Sequence, residues 1–145
     1  LGCGEVSLGD STGIGTFGEV QELIGFLGDR FGTDRLAEHM HDTYGQGLAN
    51  SLAAIEAGVG VVDTSIGGLG GCRFAGGRAR GNLATEDLAY ALSRGGVETG
   101  LDVMALVRTA WWISEQLGRP PASRVATACA VEANVSHASL SEAAR

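Results

Sequence analysis

The chain has 145 residues, 44% hydrophobic and 19% charged, the balance of a globular protein, and no apolar run approaches the ~18 residues of a membrane-spanning helix. Its 17 acidic residues against 10 basic ones leave a net charge of −7, which argues against a nucleic-acid or anionic-membrane surface. Every basic residue is Arg, so Schiff-base chemistry through a lysine amine is excluded within the chain.

Short apolar runs alternate with helix-periodic stretches. Residues 3–8 read as a strand, stopped by Gly9-Asp10. Over 18–31, Val20, Leu23, Ile24, Leu27 and Phe31 fall on one helical stripe. Residues 36–41 predict a second strand. Residues 46–57 predict a helix with Leu48, Leu52 and Ile55 on one face. Residues 58–66, β-branched and nearly uncharged, predict a third strand. The segment 67–82 then carries seven glycines. Thr85-Glu86-Asp87 predicts a helix start, with Thr85 as cap and two acids at the positive end of the dipole, running to about Arg94. Residues 97–103 suggest a short fourth strand. A helix from Val103 to Leu117 follows, stopped by Pro120-Pro121, with one of Trp111 and Trp112 in the core and the other at its edge.

This alternation implies an α/β fold with parallel strands and crossover helices. The length suits one ordinary domain or half of a (β/α)8 barrel of ~250 residues. In either case functional groups gather at the C-terminal ends of strands. The opening Leu1-Gly2-Cys3 reads as a segment whose natural start lies upstream. Cys3, Cys72 and Cys129 are an odd set without CxxC spacing, which points to a reducing, cytoplasmic compartment and away from a disulfide framework or cysteine-based zinc site.

Five groups stand at positions where chemistry is expected. His39-Met40-His41 places two imidazoles on the same side of a strand end, where they converge on one metal ion or serve as ordinary structural histidines. Cys72 sits among glycines that free the backbone, so its thiol can swing over a site; the alternative is a small core residue. Asp10 follows the first strand, either as a reacting acid or as a turn residue before Ser11-Thr12-Gly13. Asn82 closes the glycine-rich segment, where its amide offers oxygen to a metal or caps the local backbone. Arg73, Arg78 and Arg80 give that segment positive charge, suited to an anionic substrate or to solvation. No phosphate-binding loop or GxSxG elbow occurs.

Together GEVSLGD, HMHDTYGQGLAN, VVDTSIGGLGGC and GNLATEDL resemble the hydroxymethylglutaryl-CoA lyase family over about residues 2–118. The resemblance implies that residues 1–118 are the C-terminal part of a (β/α)8 TIM barrel, followed by a tail over 119–145 that is partly helical or disordered. It implies a retro-Claisen cleavage of 3-hydroxy-3-methylglutaryl-CoA to acetyl-CoA and acetoacetate. On it His39, His41 and Asn82 are ligands of Mg²⁺ or Mn²⁺, with Glu86 and Asp42 beside them. His39 and Asp10 assist at the tertiary hydroxyl, and Cys72 protonates the departing enolate. The implied partner is an acyl-CoA, and the complete enzyme is a homodimer. The chain departs from the family in Ser-Thr-Gly-Ile-Gly after Asp10, in Arg73-Phe74 after Cys72, and in one extra residue between Cys72 and Asn82. Related readings are a Claisen-type synthase or a lyase for a longer 3-hydroxyacyl-CoA, and, from another class, a non-catalytic barrel remnant. The segment alone is expected to be inactive.

Overall fold

A computed structural model describes residues 2–71 and 81–133. The chain divides into two compact units, Leu1–Thr64 with Gly70–Leu83, and Ser65–Leu69 with Ala84–Arg145.

The first unit is a parallel three-stranded sheet, β1 (Val6–Asp10), β2 (Leu36–Met40) and β3 (Val61–Asp63), in that spatial order. Helices α1 (Phe17–Phe31) and α2 (Gly47–Glu56) make the crossovers. The α1 start is fixed by Glu19, whose carboxylate accepts the Thr16 backbone N–H at 2.9 Å and the Thr16 hydroxyl at 2.8 Å. Leu36 and Met40 of the central strand pack with Val20 and Ile24 of α1 and with Ala53 and Ala54 of α2. The small α2 residues let that helix lie close on the sheet. Leu23 and Phe31, expected on the buried stripe, are instead exposed, because they flank grooves beside the edge strand β1 rather than facing the sheet.

Two strand boundaries move. The first strand begins at Val6 rather than residue 3 and continues through Gly9-Asp10, because Val6 to Asp10 are the residues that pair with Leu36 to Met40. The third is confined to Val61–Asp63, since only these pair with β2. Ile66–Gly68 curls instead into a 3-10 turn, with Gly67 at φ 63°.

The second unit packs α3 (Thr85–Arg94), α4 (Val103–Leu117) and α5 (Arg124–Ala128) with that turn. Its core holds Val107, Ala110, Trp111, Ala126, Ala130 and Ala133. Trp111 is buried and its indole N–H donates to the Ala126 carbonyl at 2.8 Å, whereas Trp112 is exposed. Ala84, not Thr85, occupies the α3 cap position: Ser65 and Ala84 form a parallel bridge, and the Thr85 N–H donates to the Ser65 carbonyl at 3.0 Å. Residues 97–102 form no strand; they are exposed and pair with no strand among the described residues, and Asp102 instead caps α4. Gly118, left-handed at φ 62°, ends α4 before the prolines are reached.

Candidate metal centre

The register of β2 decides which groups meet. Leu36, Glu38 and Met40 face the helices, so Ala37 and His39 face the other way, and His41 continues that side just past the strand. The His39 and His41 rings touch edge to face, with centroids 5.3 Å apart and planes at 84°. Two imidazoles on one ion at metal–nitrogen distances of about 2.1 Å have centroids roughly 4.5–5.5 Å apart, so the observed spacing suits a shared cation. His41 is buried and His39 half-buried.

Asn82 is delivered to this pair by the backbone. His41 and Asn82 form an antiparallel bridge, flanked by Leu83 N–H to Met40 carbonyl at 2.9 Å and Asp42 N–H to Gly81 carbonyl at 3.1 Å. Gly70 lets the Asn82 carboxamide pack close: a Cβ at this position, already at φ 114°, would stand 2.6 Å from the amide nitrogen. The structure therefore sets the Asn82 backbone beside His41, next to the paired imidazoles at the end of β2. Among the described residues no group of three or more His, Cys, Asp or Glu is placed to hold a metal, so a ligand set here depends on the amide oxygen. Nitrogen and amide-oxygen donors fit a divalent cation of the Mg²⁺ to Mn²⁺ kind when water and further oxygens complete the shell.

The carboxylates are engaged elsewhere. Asp10 pairs in register with Met40, the helix-facing residue, and not with His39. Its Oδ1 accepts the Gly13 N–H at 2.8 Å, the Thr12 hydroxyl at 3.2 Å and the Thr12 N–H at 3.3 Å, while Oδ2 accepts the Gly15 N–H at 2.8 Å. In this structure Asp10 organises the turn that follows it. Gly13 is required there by φ 71° and by the Thr43 backbone nitrogen, 2.9 Å from where a Cβ would sit. The Asp42 carboxylate accepts the Gly47 N–H at 2.8 Å at the start of α2.

Glu86 belongs to the second unit. It is fully buried, and both its oxygens accept the Gly67 N–H, at 2.8 and 3.1 Å. Burial raises its pKa above the usual carboxylate range, against the lowering effect of the backbone N–H groups it accepts. Its neighbour Asp87 accepts the Ser123 hydroxyl at 2.7 Å and the Val125 N–H at 2.9 Å. Cys72, with Arg73, Arg78 and Arg80, lies outside the described residues.

One group escaped the sequence analysis. Glu38 is wholly buried on the helix-facing side of β2, and neither carboxylate oxygen has a hydrogen-bond partner among the described residues. Desolvation pushes its pKa up to about 7; the nearby Ser51 hydroxyl works against the shift and the Asp63 charge adds to it. The signal was available, since Glu38 alternates with the apolar Leu36 and Met40.

The HMGL-like family model matches residues 1–113. The mitochondrial hydroxymethylglutaryl-CoA lyase of Gallus gallus is 48% identical over 128 residues, covering 88% of this chain and 43% of that protein. The crystal structure of hydroxymethylglutaryl-CoA lyase from Pseudomonas aeruginosa matches with a TM-score of 0.83 and 46% identity, covering 90% of this chain and 43% of that one. A structure of an HMG-CoA lyase from Acinetobacter baumannii in complex with coenzyme A and 3-methylmalate matches with a TM-score of 0.81 and 35% identity, covering 86% and 41%. The chain spans less than half the length of these relatives.

Proposed function

The chain belongs to the HMGL-like family, its fold a segment of that family's TIM barrel, and from this premise we propose that it carries the cation-binding strand end of a hydroxymethylglutaryl-CoA lyase. The observation that supports this most is the contact of the His39 and His41 rings, with the Asn82 backbone beside His41, at the C-terminal end of β2. These three hold a divalent cation, Mg²⁺ or Mn²⁺, through two imidazole nitrogens and the amide oxygen. The cation supplies Lewis-acid stabilisation of the substrate hydroxyl and of the ketone oxygen it becomes.

The substrate is an acyl-CoA, 3-hydroxy-3-methylglutaryl-CoA. The tertiary hydroxyl proton passes to a solvent water oriented by His39, and the adjacent C–C bond breaks. The ketone of acetoacetate forms, and the bonding pair passes to the thioester enolate. The Cys72 thiol then gives its proton to the enolate carbon, releasing acetyl-CoA. Asp10 contributes by holding the turn over residues 11–15 in shape beside the strand ends. Asp42 fixes the start of α2 behind His41. Glu86 anchors the turn over Ile66–Gly68 that leads into the cysteine segment. The assembly we propose is a homodimer of the complete enzyme in the cytoplasm. Among the described residues no helix is long and apolar enough to cross a membrane.

Titration with Mn²⁺, followed by paramagnetic broadening of histidine ring proton signals, tests the ligand set. The parent chain is expected to bind, with both His39 and His41 broadened, and His41→Ala and Asn82→Ala are expected to weaken binding at least about tenfold. Equal affinity in parent and His41→Ala would refute the centre.

A further inference from the structure

The turn over residues 11–15 carries two glycines, and its one large side chain, Ile14, is 65% exposed. It has little packing of its own, yet its main chain lies directly against that of His41. The His41 N–H donates to the Asp10 carbonyl at 3.3 Å. A Cβ at Gly13 would stand 3.0 Å from the His41 carbonyl oxygen. The Asp10 carboxylate holds the turn by accepting its N–H groups and the Thr12 hydroxyl. A carboxylate cannot serve the carbonyl side of the turn, which needs a donor from elsewhere.

Asn50 supplies that donor. From α2 its Nδ2 donates to the Gly15 carbonyl at 2.8 Å, across 35 residues of sequence. The N–H of the same Gly15 donates to Asp10 Oδ2 at 2.8 Å. Gly15 is therefore gripped from both sides, and a Cβ there would stand 2.9 Å from Asp10 Oδ2 and 3.7 Å from Asn50 Nδ2. A carbonyl only accepts, so the bond fixes which way round the Asn50 amide lies. Asn50 is fully buried on α2, three and four residues before the equally buried Ala53 and Ala54. Asparagine is a poor residue for a helix interior, and the Asn50 Oδ1 has no hydrogen-bond partner among the described residues. A third alanine would avoid both penalties. The amide N–H on Gly15 accounts for the side chain where packing does not.

We propose that Asn50 is a positioning residue, whose amide clamps the turn over residues 11–15, and with it the Asp10 carboxylate, against the main chain of His41. The proposal rests on His41 being a cation ligand for its consequence at the metal centre, but the clamp on the turn can be read without any cation.

The test follows backbone amide hydrogen exchange in the metal-free 145-residue chain. Asn50→Leu, which keeps the bulk and removes the donor, is expected to speed exchange at Gly13, Gly15 and His41 about tenfold while leaving Ile24 of α1 and Ala54 of α2 unchanged. Asn50→Ala, cut to the size of Ala53 and Ala54, carries the test should the leucine variant not fold. Mn²⁺ affinity is expected to fall about tenfold in the same variant. Unchanged exchange at the turn would overturn the proposal. So would a uniform rise across all five amides, which is what loss of stability alone produces. In a parent chain that binds Mn²⁺, full affinity retained beside a loosened turn would overturn it as well. A parent chain that takes up no Mn²⁺, with the turn still loosened by the variant, sinks the cation reading and leaves the clamp standing.

Discussion

At the scale of single residues, Glu38 is where the chain works against its own stability. A carboxyl whose pKa is raised in the folded state binds a proton that the unfolded chain has already released. Folding is therefore favoured below the ordinary glutamate range near pH 4.3 and loses stability as pH rises from there to about 7. Glu86, raised by burial as well, adds to the same slope. The parent chain is expected to unfold at lower denaturant concentration at pH 8 than at pH 5. Glu38→Gln is expected to flatten most of that dependence and to gain on the order of 3 kcal/mol at pH 8, read from equilibrium unfolding curves. A variant no more stable than the parent at pH 8 would show that the carboxylate finds a partner in solution. Asp10 is the contrasting case, an acid whose two oxygens both accept hydrogen bonds from the turn over residues 12–15.

At the scale of elements, two aspartates organise α4 and α5. Asp102 Oδ1 accepts the N–H groups of Met104 and Ala105 at 2.9 and 3.1 Å, satisfying donors at the exposed α4 start. Asp87 does the corresponding work for α5 from a distance in sequence, inside the core of the second unit, through Ser123 and Val125. Asp102→Ala is expected to cost about 1 kcal/mol. Asp87→Ala, which leaves a buried Ser123 hydroxyl and a helix-start N–H without their acceptor, is expected to cost about 2–4 kcal/mol. Thermal or urea unfolding of the two variants checks the order, and equal costs would contradict the difference in burial. The same contrast separates what local pattern reveals. The cap at Asp102 lies two and three residues before the N–H groups it serves, whereas the partners of Asp87 are 36 and 38 residues away.

At the scale of the whole molecule, the chain spans less than half of the lyases it resembles, and β1 stands at an edge of its sheet. We expect the 145-residue chain to bind Mn²⁺ yet to show no measurable cleavage of 3-hydroxy-3-methylglutaryl-CoA in a coupled acetyl-CoA assay with Mg²⁺. Turnover by this chain would show that its own residues suffice for the reaction.

The sequence by itself determined the parallel α/β order, because strand and helix periodicities are local and alternate cleanly from Val6 to Glu56. It also determined that His39 and His41 share a side, because alternation along a strand requires it. The family match followed from the same local segments. Tertiary structure alone decided the rest, since each outcome depends on pairing between distant residues. Parallel partners fixed where β1 starts and how short β3 is, and residues 97–102, with no strand partner among the described residues, form no strand. The bridge between His41 and Asn82 set the backbone of a residue 41 positions away beside the imidazoles. Register turned Asp10 and Glu38 to the helix side, because a residue's face is set by the strand it pairs with and not by its chemistry.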